Sequence, residues 1–359
     1  MPNKNNLFTD AISDAFVQSM QKNKNVIIMG EGVTDPKGIF NTTCEALKRF
    51  GPQRVIETPV SENAMTGIQI GMSLLGKKSI FIHARVDFSL LAFDQLINNA
   101  SKWHFMYGGT MNIPIVIRLI IGRGWGQGPQ HSQSLESVFS HFPGLKVVVP
   151  STAHDCKGLM ISSIFDKNPV VFIEHRWLHN YSSNYSKKFY KISLNDSIGL
   201  KKKGKDLTIL SSSIMLIESL KVEKILKKFG ISLEILDLRV LRPLNLKKLF
   251  TSIKKTKNFL FVDNGWKSFG VGSEIFANIL EKKLILKNTP VRLACKNFPT
   301  PSSHYLNKDY YVTVKDICLE VCKILSVKKS TQKKIIIQCD KILSKVPHDL
   351  PDLNFKGPF

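Results

Sequence analysis

The chain has 359 residues, 43% of them hydrophobic and 22% charged, enough to bury cores for about two domains at the usual ~150 residues each. No run approaches the ~18 consecutive apolar residues that a membrane-crossing helix needs, which excludes such a helix. The net charge of +23 is unevenly placed, +6 over residues 1–200 and +17 over residues 201–359; its lysines fall on polar helix faces (Lys221, Lys224, Lys227, Lys228) without interleaved aromatics, which argues for a solvated face or docking on an acidic partner and against nucleic acid.

Met1-Pro2-Asn3-Lys4-Asn5-Asn6 leads into an amphipathic stretch and lacks the apolar core and small-residue cleavage site of a secretory signal, so a cytoplasmic protein is expected. The six cysteines are scattered with no C-x-x-C pair, as in reduced, structural thiols. Short β-branched runs then predict strands at Asn25–Met29, Val55–Thr58, Ser79–His83, Ile113–Ile117, Leu145–Val149 and Pro169–Glu174. Helical periodicity lies between them at Glu62–Leu75, Phe88–Tyr107 and Ala153–Phe165. The strand runs are continuous rather than alternating, which predicts a mostly parallel sheet covered on both faces. Residues 182–205 are polar and basic and read as a linker with a short hairpin. A second α/β cycle follows, with strands near Leu207–Ser211, Ser232–Leu238, Phe259–Val262 and Val291–Ala294 and helices near Ile214–Phe229, Gly270–Leu284 and Val314–Leu325. A basic tail starts at Ser326 and is too Pro-rich around Val346–Leu353 for a helix.

Two local patterns carry chemistry. Ile121-Gly122-Arg123-Gly124-Trp125-Gly126-Gln127-Gly128-Pro129-Gln130-His131 follows a strand, and its glycines let backbone approach a ligand closely. It fits no phosphate-binding fingerprint, and two readings of His131 stand: a helix-capping residue and a catalytic one. In Glu57-Thr58-Pro59-Val60-Ser61-Glu62, a strand meets a helix; Ser61 suits the N-cap and Glu62 the positive end of the dipole. Capping is a sufficient account of both residues on this pattern alone.

Taken in order, Gly30-Glu31-Gly32-Val33, Thr58-Pro59-Val60-Ser61-Glu62, Asp87-Phe88, Gln130-His131-Ser132-Gln133-Ser134, Pro143-Gly144-Leu145-Lys146, Asp237-Leu238-Arg239-Val240-Leu241-Arg242-Pro243 and Gly270-Val271-Gly272-Ser273-Glu274 resemble the beta subunits of thiamine-diphosphate-dependent 2-oxo acid dehydrogenases, over roughly residues 7–326. The resemblance implies an α/β chain with a transketolase-like pyrimidine-binding domain (1–185), a linker (186–205), a smaller transketolase C-terminal domain (206–326) and a basic tail (327–359). It implies that Glu62 hydrogen-bonds the aminopyrimidine of thiamine diphosphate and so activates it, that Phe88 lies against that ring, that Val60 forms a wall, that Glu31 lines the pocket, and that His131 serves proton transfer when the acyl group leaves the cofactor. A structural potassium ion is implied at Ile115, Ser163, Ile164, Asp166 and Asn168, mostly through backbone oxygens, although Asp166 and Asn168 also suit a helix end.

The chain contains no Gly-Asp-Gly, the motif with which relatives hold magnesium and the diphosphate. The resemblance therefore implies an alpha subunit that supplies the magnesium site, in an α2β2 assembly, with a 2-oxo acid as substrate and a lipoyl-bearing acyltransferase as acceptor. A split transketolase, moving a ketol or acyl unit without a lipoyl acceptor, is the alternative. Departures from the family cluster in Ile82-His83-Ala84-Arg85 and in His175-Arg176-Trp177. His83, Arg85 and either Arg176 or His175 are candidates to bind an anionic group of the substrate, with ion pairing within the chain or to its partner as the equal alternative.

Overall fold

A computed structural model describes residues 6–123, 126–343 and 350. Its strands, in chain order, are β1 Val26–Gly30, β2 Val55–Glu57, β3 Lys78–His83, β4 Ile115–Ile121, β5 Lys146–Val148, β6 Val170–His175, β7 Ile198–Lys202, β8 Leu207–Ser211, β9 Leu233–Leu238, β10 Val240–Arg242, β11 Phe259–Trp266 and β12 Val291–Cys295. They form two sheets, ordered β10-β5-β6-β4-β3-β1-β2 and β12-β11-β8-β9-β7. All pairings are parallel except β10 with β5 and β7 with β9. This is the mixed α/β architecture expected, and its cause is local: β1, β4 and β6 are buried along their whole length, so uninterrupted Val, Ile and Leu are compatible with helices on both faces.

Four features depart from the expected elements. Phe88–Tyr107 is not one helix but a tight 3-10 stretch at Val86–Ala92, a π-helical turn at Asp94–Ala100 and an α-helix at Ser101–Met106. Side chains compete for its backbone, with Ser89 Oγ donating to the Val86 carbonyl at 2.6 Å and Asn99 Nδ2 to the Asp94 carbonyl at 3.4 Å. The linker forms no hairpin; β7 instead pairs antiparallel with β9, Ile198 opposite Leu238. β10, three residues long, leaves the second half and closes the edge of the first sheet. The basic tail is, over Lys329–Leu343, a helix packed on helices Val314–Ile324 and Ser213–Lys227, with Ile335 and Cys339 fully buried. The Pro-rich end beyond it, Leu350 apart, lies outside the described residues.

Two apolar clusters join the two sheets, one running from Ile12, Phe16 and Ile28 through Val116 and Leu159 to Ile209, Leu216 and Val321, the other from Phe81 and Leu119 to Leu210 and Phe261. Across the same junction Arg239 reaches Asp155 at 2.5 Å and Asp196 at 2.6 Å, Lys201 pairs with Asp155 and with Asp237 at 3.3 Å, and Ser151 donates to Asp237 at 2.6 Å. No described helix is long and apolar enough to cross a membrane.

Candidate active site

The parallel register brings the C-terminal ends of β1, β2, β3, β4 and β6 to one edge, Gly30 beside Glu57 and Ile82, His83 beside Leu119, and Ile121 beside His175. Ligands of parallel α/β sheets bind at this edge. The edge is crowded: Gly30 has φ +154°, and a Cβ there would lie 2.7 Å from the Ile82 carbonyl oxygen, while one on Gly122, φ +144°, would lie 3.1 Å from Arg176 Cβ. Only glycine lets these chains turn out of the sheet.

Three glutamates meet where β1 and β2 end. Glu57 accepts the Gly32 amide at 2.5 Å, the Thr34 amide at 3.0 Å and the Thr34 hydroxyl at 2.8 Å; it thereby fixes the loop that carries Glu31. Glu62 is the first residue of helix Glu62–Leu74 and is 6% exposed. Ser61 stands at the N-cap but makes no capping hydrogen bond through its side chain, so the capping account of this motif covers less than its pattern promised. Burial first, then the Glu62 and Glu57 carboxylates, raise the pKa of Glu31. Val60 is 78% exposed.

Beside this group lies a cleft of about 690 Å³ lined by Phe40, Arg85, Phe88, Gln127, His131 and Arg176, among others. Glu31, Val60 and Glu62 are not among its lining residues. Phe88 meets the His131 ring edge-on at 5.6 Å. Next to them Gln133 donates to Asp87 at 2.7 Å; burial raises the pKa of Asp87, against that hydrogen bond and those from backbone amides. Arg85 is 7% exposed and donates to the Ala84 carbonyl at 2.7 Å and to Gln127 Oε1 at 3.1 Å.

His83, expected beside Arg85 as an anion contact, is turned away from the cleft. It is packed on Phe81 at 4.4 Å, its Nε2 has no partner among the described residues, and burial pushes its pKa down to about 3. A neutral, enclosed imidazole cannot neutralise an anion, so Arg85 alone of that pair supplies charge to the cleft. His175 is likewise fully buried and held well below its ordinary pKa by desolvation, then by Arg123, His179 and Arg176; its Nδ1 accepts the Trp177 amide at 3.1 Å.

A buried network under the cleft was not anticipated. Arg118 spans Glu174 with Nε at 3.1 Å and Nη2 at 2.5 Å and reaches Thr42 at 2.8 Å, while His179 Nε2 lies 2.7 Å from Glu174. Glu174 is held at about 2, the Arg118 charge and the His179 contact outweighing burial, and burial lowers His179 to about 4. The signal was present: an arginine inside the apolar run of β4 must find a buried counter-charge.

The five positions of the implied potassium site lie at the opposite, N-terminal edge of the sheet: Ile115 opens β4, Ser163 and Ile164 end helix Ala153–Ile164, and Asp166 and Asn168 lie in the loop before β6. There Lys146 holds Asp166 at 2.5 Å, the Asn168 amide donates to the same carboxylate at 2.9 Å, and Lys78 approaches the Asp166 carbonyl at 3.5 Å. Ser163 donates to the Leu159 carbonyl at 2.7 Å. The Asp166 side chain is thus committed to lysine, and the expectation reduces to backbone carbonyls of Ile115, Ser163, Ile164 and Asn168. No group of three His, Cys, Asp or Glu able to hold a metal occurs among the described residues.

Two parallel-rich α/β units with an acid group and an aromatic cleft at one sheet edge define a chain of the transketolase class. Residues 6–180 match the model of the transketolase pyrimidine binding domain and residues 197–317 that of the transketolase C-terminal domain. The chain is 34% identical over 320 residues to the pyruvate dehydrogenase E1 component subunit beta of Rickettsia bellii, covering 89% of this chain and 98% of that one. It is 36% identical over 312 residues to the mitochondrial subunit of the same name from Pisum sativum, covering 86% and 87%. The chain belongs to the family of these beta subunits. Among solved structures, an inactive beta4 tetramer of a split-gene transketolase superposes with a TM-score of 0.73 at 20% identity over 89% of this chain and 98% of that one; Leishmania mexicana transketolase gives 0.66 at 14% over 89% and 45%. At these identities the likeness speaks for the fold.

Proposed function

We propose that the chain is the beta subunit of a thiamine-diphosphate-dependent 2-oxo acid dehydrogenase, which decarboxylates a 2-oxo acid and passes the acyl group to a lipoyl acceptor at a site shared with an alpha subunit in an α2β2 assembly. The observation that carries this reading is the pair of carboxyls at the ends of β1 and β2, Glu62 buried at a helix start and Glu31 raised by burial first and then by Glu62 and Glu57. Such a pair fits a nitrogen-rich aminopyrimidine, which offers hydrogen-bonding groups where the acids repel one another. When bound, thiamine diphosphate supplies the carbon nucleophile and electron sink for the decarboxylation. Glu62 would hold the pyrimidine by a hydrogen bond, with Glu31 beside it, Phe88 giving an aromatic surface and Val60 a wall. His131 would serve proton transfer as the acyl group leaves for its acceptor. Magnesium and the diphosphate would fall to the alpha subunit, a reading supported by the sequence having no Gly-Asp-Gly motif.

The test is co-purification with the alpha subunit and turnover of a panel of 2-oxo acids with an artificial electron acceptor. Glu62→Gln is expected to cut turnover of every accepted substrate by about 10²–10⁴-fold while the subunits still assemble. Turnover within a few-fold of wild type would overturn the assignment. A second reading, ketol transfer between sugars without a lipoyl acceptor, is favoured by the two arginines of the cleft, which suit phosphorylated sugars; transfer of a ketol unit from a ketose phosphate to an added acceptor aldose, with release of the shortened aldose phosphate and in the absence of any 2-oxo acid, would select it.

A further inference from the structure

We infer that Ser302, in the C-terminal domain, is a positioning residue for His131 and acts by bearing on the backbone of Gly126 and Gly128 in the loop that carries it. The inference rests on the function proposed above, in which His131 serves transfer of the acyl group, and adds a residue that sets where that imidazole stands.

The stretch Gly126-Gln127-Gly128, between β4 and helix Glu136–His141, has one side chain with which to hold itself. Both glycines take left-handed backbone, φ +65° and +68°, and glycine keeps more conformational freedom than any other residue unless something restrains it. The restraint comes from the other domain. Ser302 lies between β12 and helix His304–Asn307. A Cβ on Gly126 would lie 2.9 Å from the Ser302 carbonyl oxygen, and one on Gly128 would overlap Ser302 Oγ. The two glycines therefore lay bare backbone on one residue, at an approach no side chain would allow.

From there the path to His131 is short. The Gly128 carbonyl accepts the His131 amide at 3.4 Å, and the His131 ring meets Phe88 edge-on at 5.6 Å. Between the glycines, Gln127 Oε1 accepts Arg85 Nη2 at 3.1 Å. The C-terminal domain also touches the same loop near both ends. At its start the Arg123 guanidinium meets the Tyr311 ring at 3.9 Å and the Trp177 ring at 4.5 Å. Three residues beyond His131, Asn264 Nδ2 donates to Ser134 Oγ at 2.6 Å. His131 is thus carried by a segment braced on either side, and Ser302 is the brace that bears on backbone rather than on a side chain. Misplacing a catalytic group by about 1 Å can cost about 10²-fold in rate, so the effect belongs to kcat of the transfer step and not to KM for the 2-oxo acid.

The experiment uses the purified complex of this chain with its alpha subunit and compares Gly128→Ala with the double variant Gly128→Ala, Ser302→Gly. The first substitution forces a methyl group onto Ser302; the second removes the side chain that it meets. Turnover of one 2-oxo acid is measured with lipoamide and with an artificial electron acceptor, which bypasses the step assigned to His131. In Gly128→Ala the ratio of the two kcat values is expected to fall about 10–100-fold with KM for the 2-oxo acid within about threefold. Amide hydrogen exchange over residues 126–134 should speed up about tenfold. The double variant should recover at least about half of each change on a logarithmic scale. A loss that Ser302→Gly does not relieve would come from the backbone of Gly128 alone and overturns the role of Ser302. Should Gly128→Ala not assemble, Ser302→Val, at an exposed position, is expected to move both readouts in the same sense; an unchanged ratio with unchanged exchange overturns the inference. If the complex turns over no 2-oxo acid, the proposed reaction fails, while hydrogen exchange still decides whether Ser302 holds the loop.

Discussion

Glu136 opens helix Glu136–His141 and is 5% exposed, with the Asp263 carboxylate near it. Burial, then Asp263, push its pKa up to about 8, beyond what its hydrogen bonds with backbone and Ser134 recover. Asp263, itself raised by burial, accepts the Asn264 amide at 2.7 Å and the Gly265 amide at 3.2 Å, so of the two it is better placed to keep its charge. An unfolded chain ionises Glu136 near its ordinary value of 4.5. Between those two values the folded chain therefore binds the extra proton, and stability falls as pH rises through the window. Glu136→Gln is neutral throughout. Thermal unfolding should show the variant gaining on wild type by roughly 2–4 kcal/mol at pH 8.5 and by little at pH 5. An unchanged difference at the two values would mean that Glu136 is ionised in the folded chain.

Helix Lys329–Leu343 shows how an element escapes the sequence. Its 15 residues, KSTQKKIIIQCDKIL, are lysine-rich with a short apolar run, and periodicity over so polar a stretch is weak until Ile335 and Cys339, one turn apart, are placed against Val314–Ile324. That partner helix is firmly capped, Thr313 accepting the Asp316 amide at 3.3 Å while Asp316 accepts the Thr313 amide at 2.8 Å. Ile335→Ala should cost about 2–4 kcal/mol in urea unfolding of the chain; a loss below about 0.5 kcal/mol would show the helix to be only loosely docked. The parallel strands were legible because burial on both faces writes itself as unbroken apolar runs. β10 was not: nothing within Val240–Arg242 announces an antiparallel partner at Val147 and Val148 in the other sheet. At the site, Glu62, Phe88 and His131 stood out through local pattern and resemblance. The work of Glu57 on the Gly32 and Thr34 amides, and the meeting of Arg85 and Arg176 in the lining of one cleft, arise only from strand order. Ser61 shows the converse, a good capping pattern whose side chain does not cap.

At the scale of the whole molecule, two kinds of contact hold the two sheets together. The apolar clusters shared between them supply attraction without direction. Direction comes from charges: Asp155 on helix Ala153–Ile164 receives Arg239 and Lys201 from the second sheet, and Arg239 ties the pair to Asp196. The two cations hold Asp155 below its usual range against burial, while burial outweighs Lys201 and leaves Asp237 raised to about 6. Arg239 also donates through Nε to the Asp196 carbonyl at 3.1 Å, and its own carbonyl accepts the Val149 amide at 2.8 Å, next to β5. Removing the guanidinium would leave the fully buried Asp155 carboxylate with Lys201 as its one remaining cation among the described residues, so the cost should lie between the ~1 kcal/mol of an exposed pair and the ~3–5 kcal/mol of a buried charge left alone. Arg239→Met keeps much of the apolar stem and isolates that loss. It should lower the unfolding midpoint by the corresponding amount and broaden or split the calorimetric transition, because the halves then unfold less cooperatively. The double variant Arg239→Met with Asp155→Asn should recover part of the loss, since the buried carboxylate that lost one of its two cations is then neutral and Lys201 keeps Asp237. A single-variant cost under about 1 kcal/mol, the range of exposed ion pairs, would mean that the apolar clusters alone align the sheets.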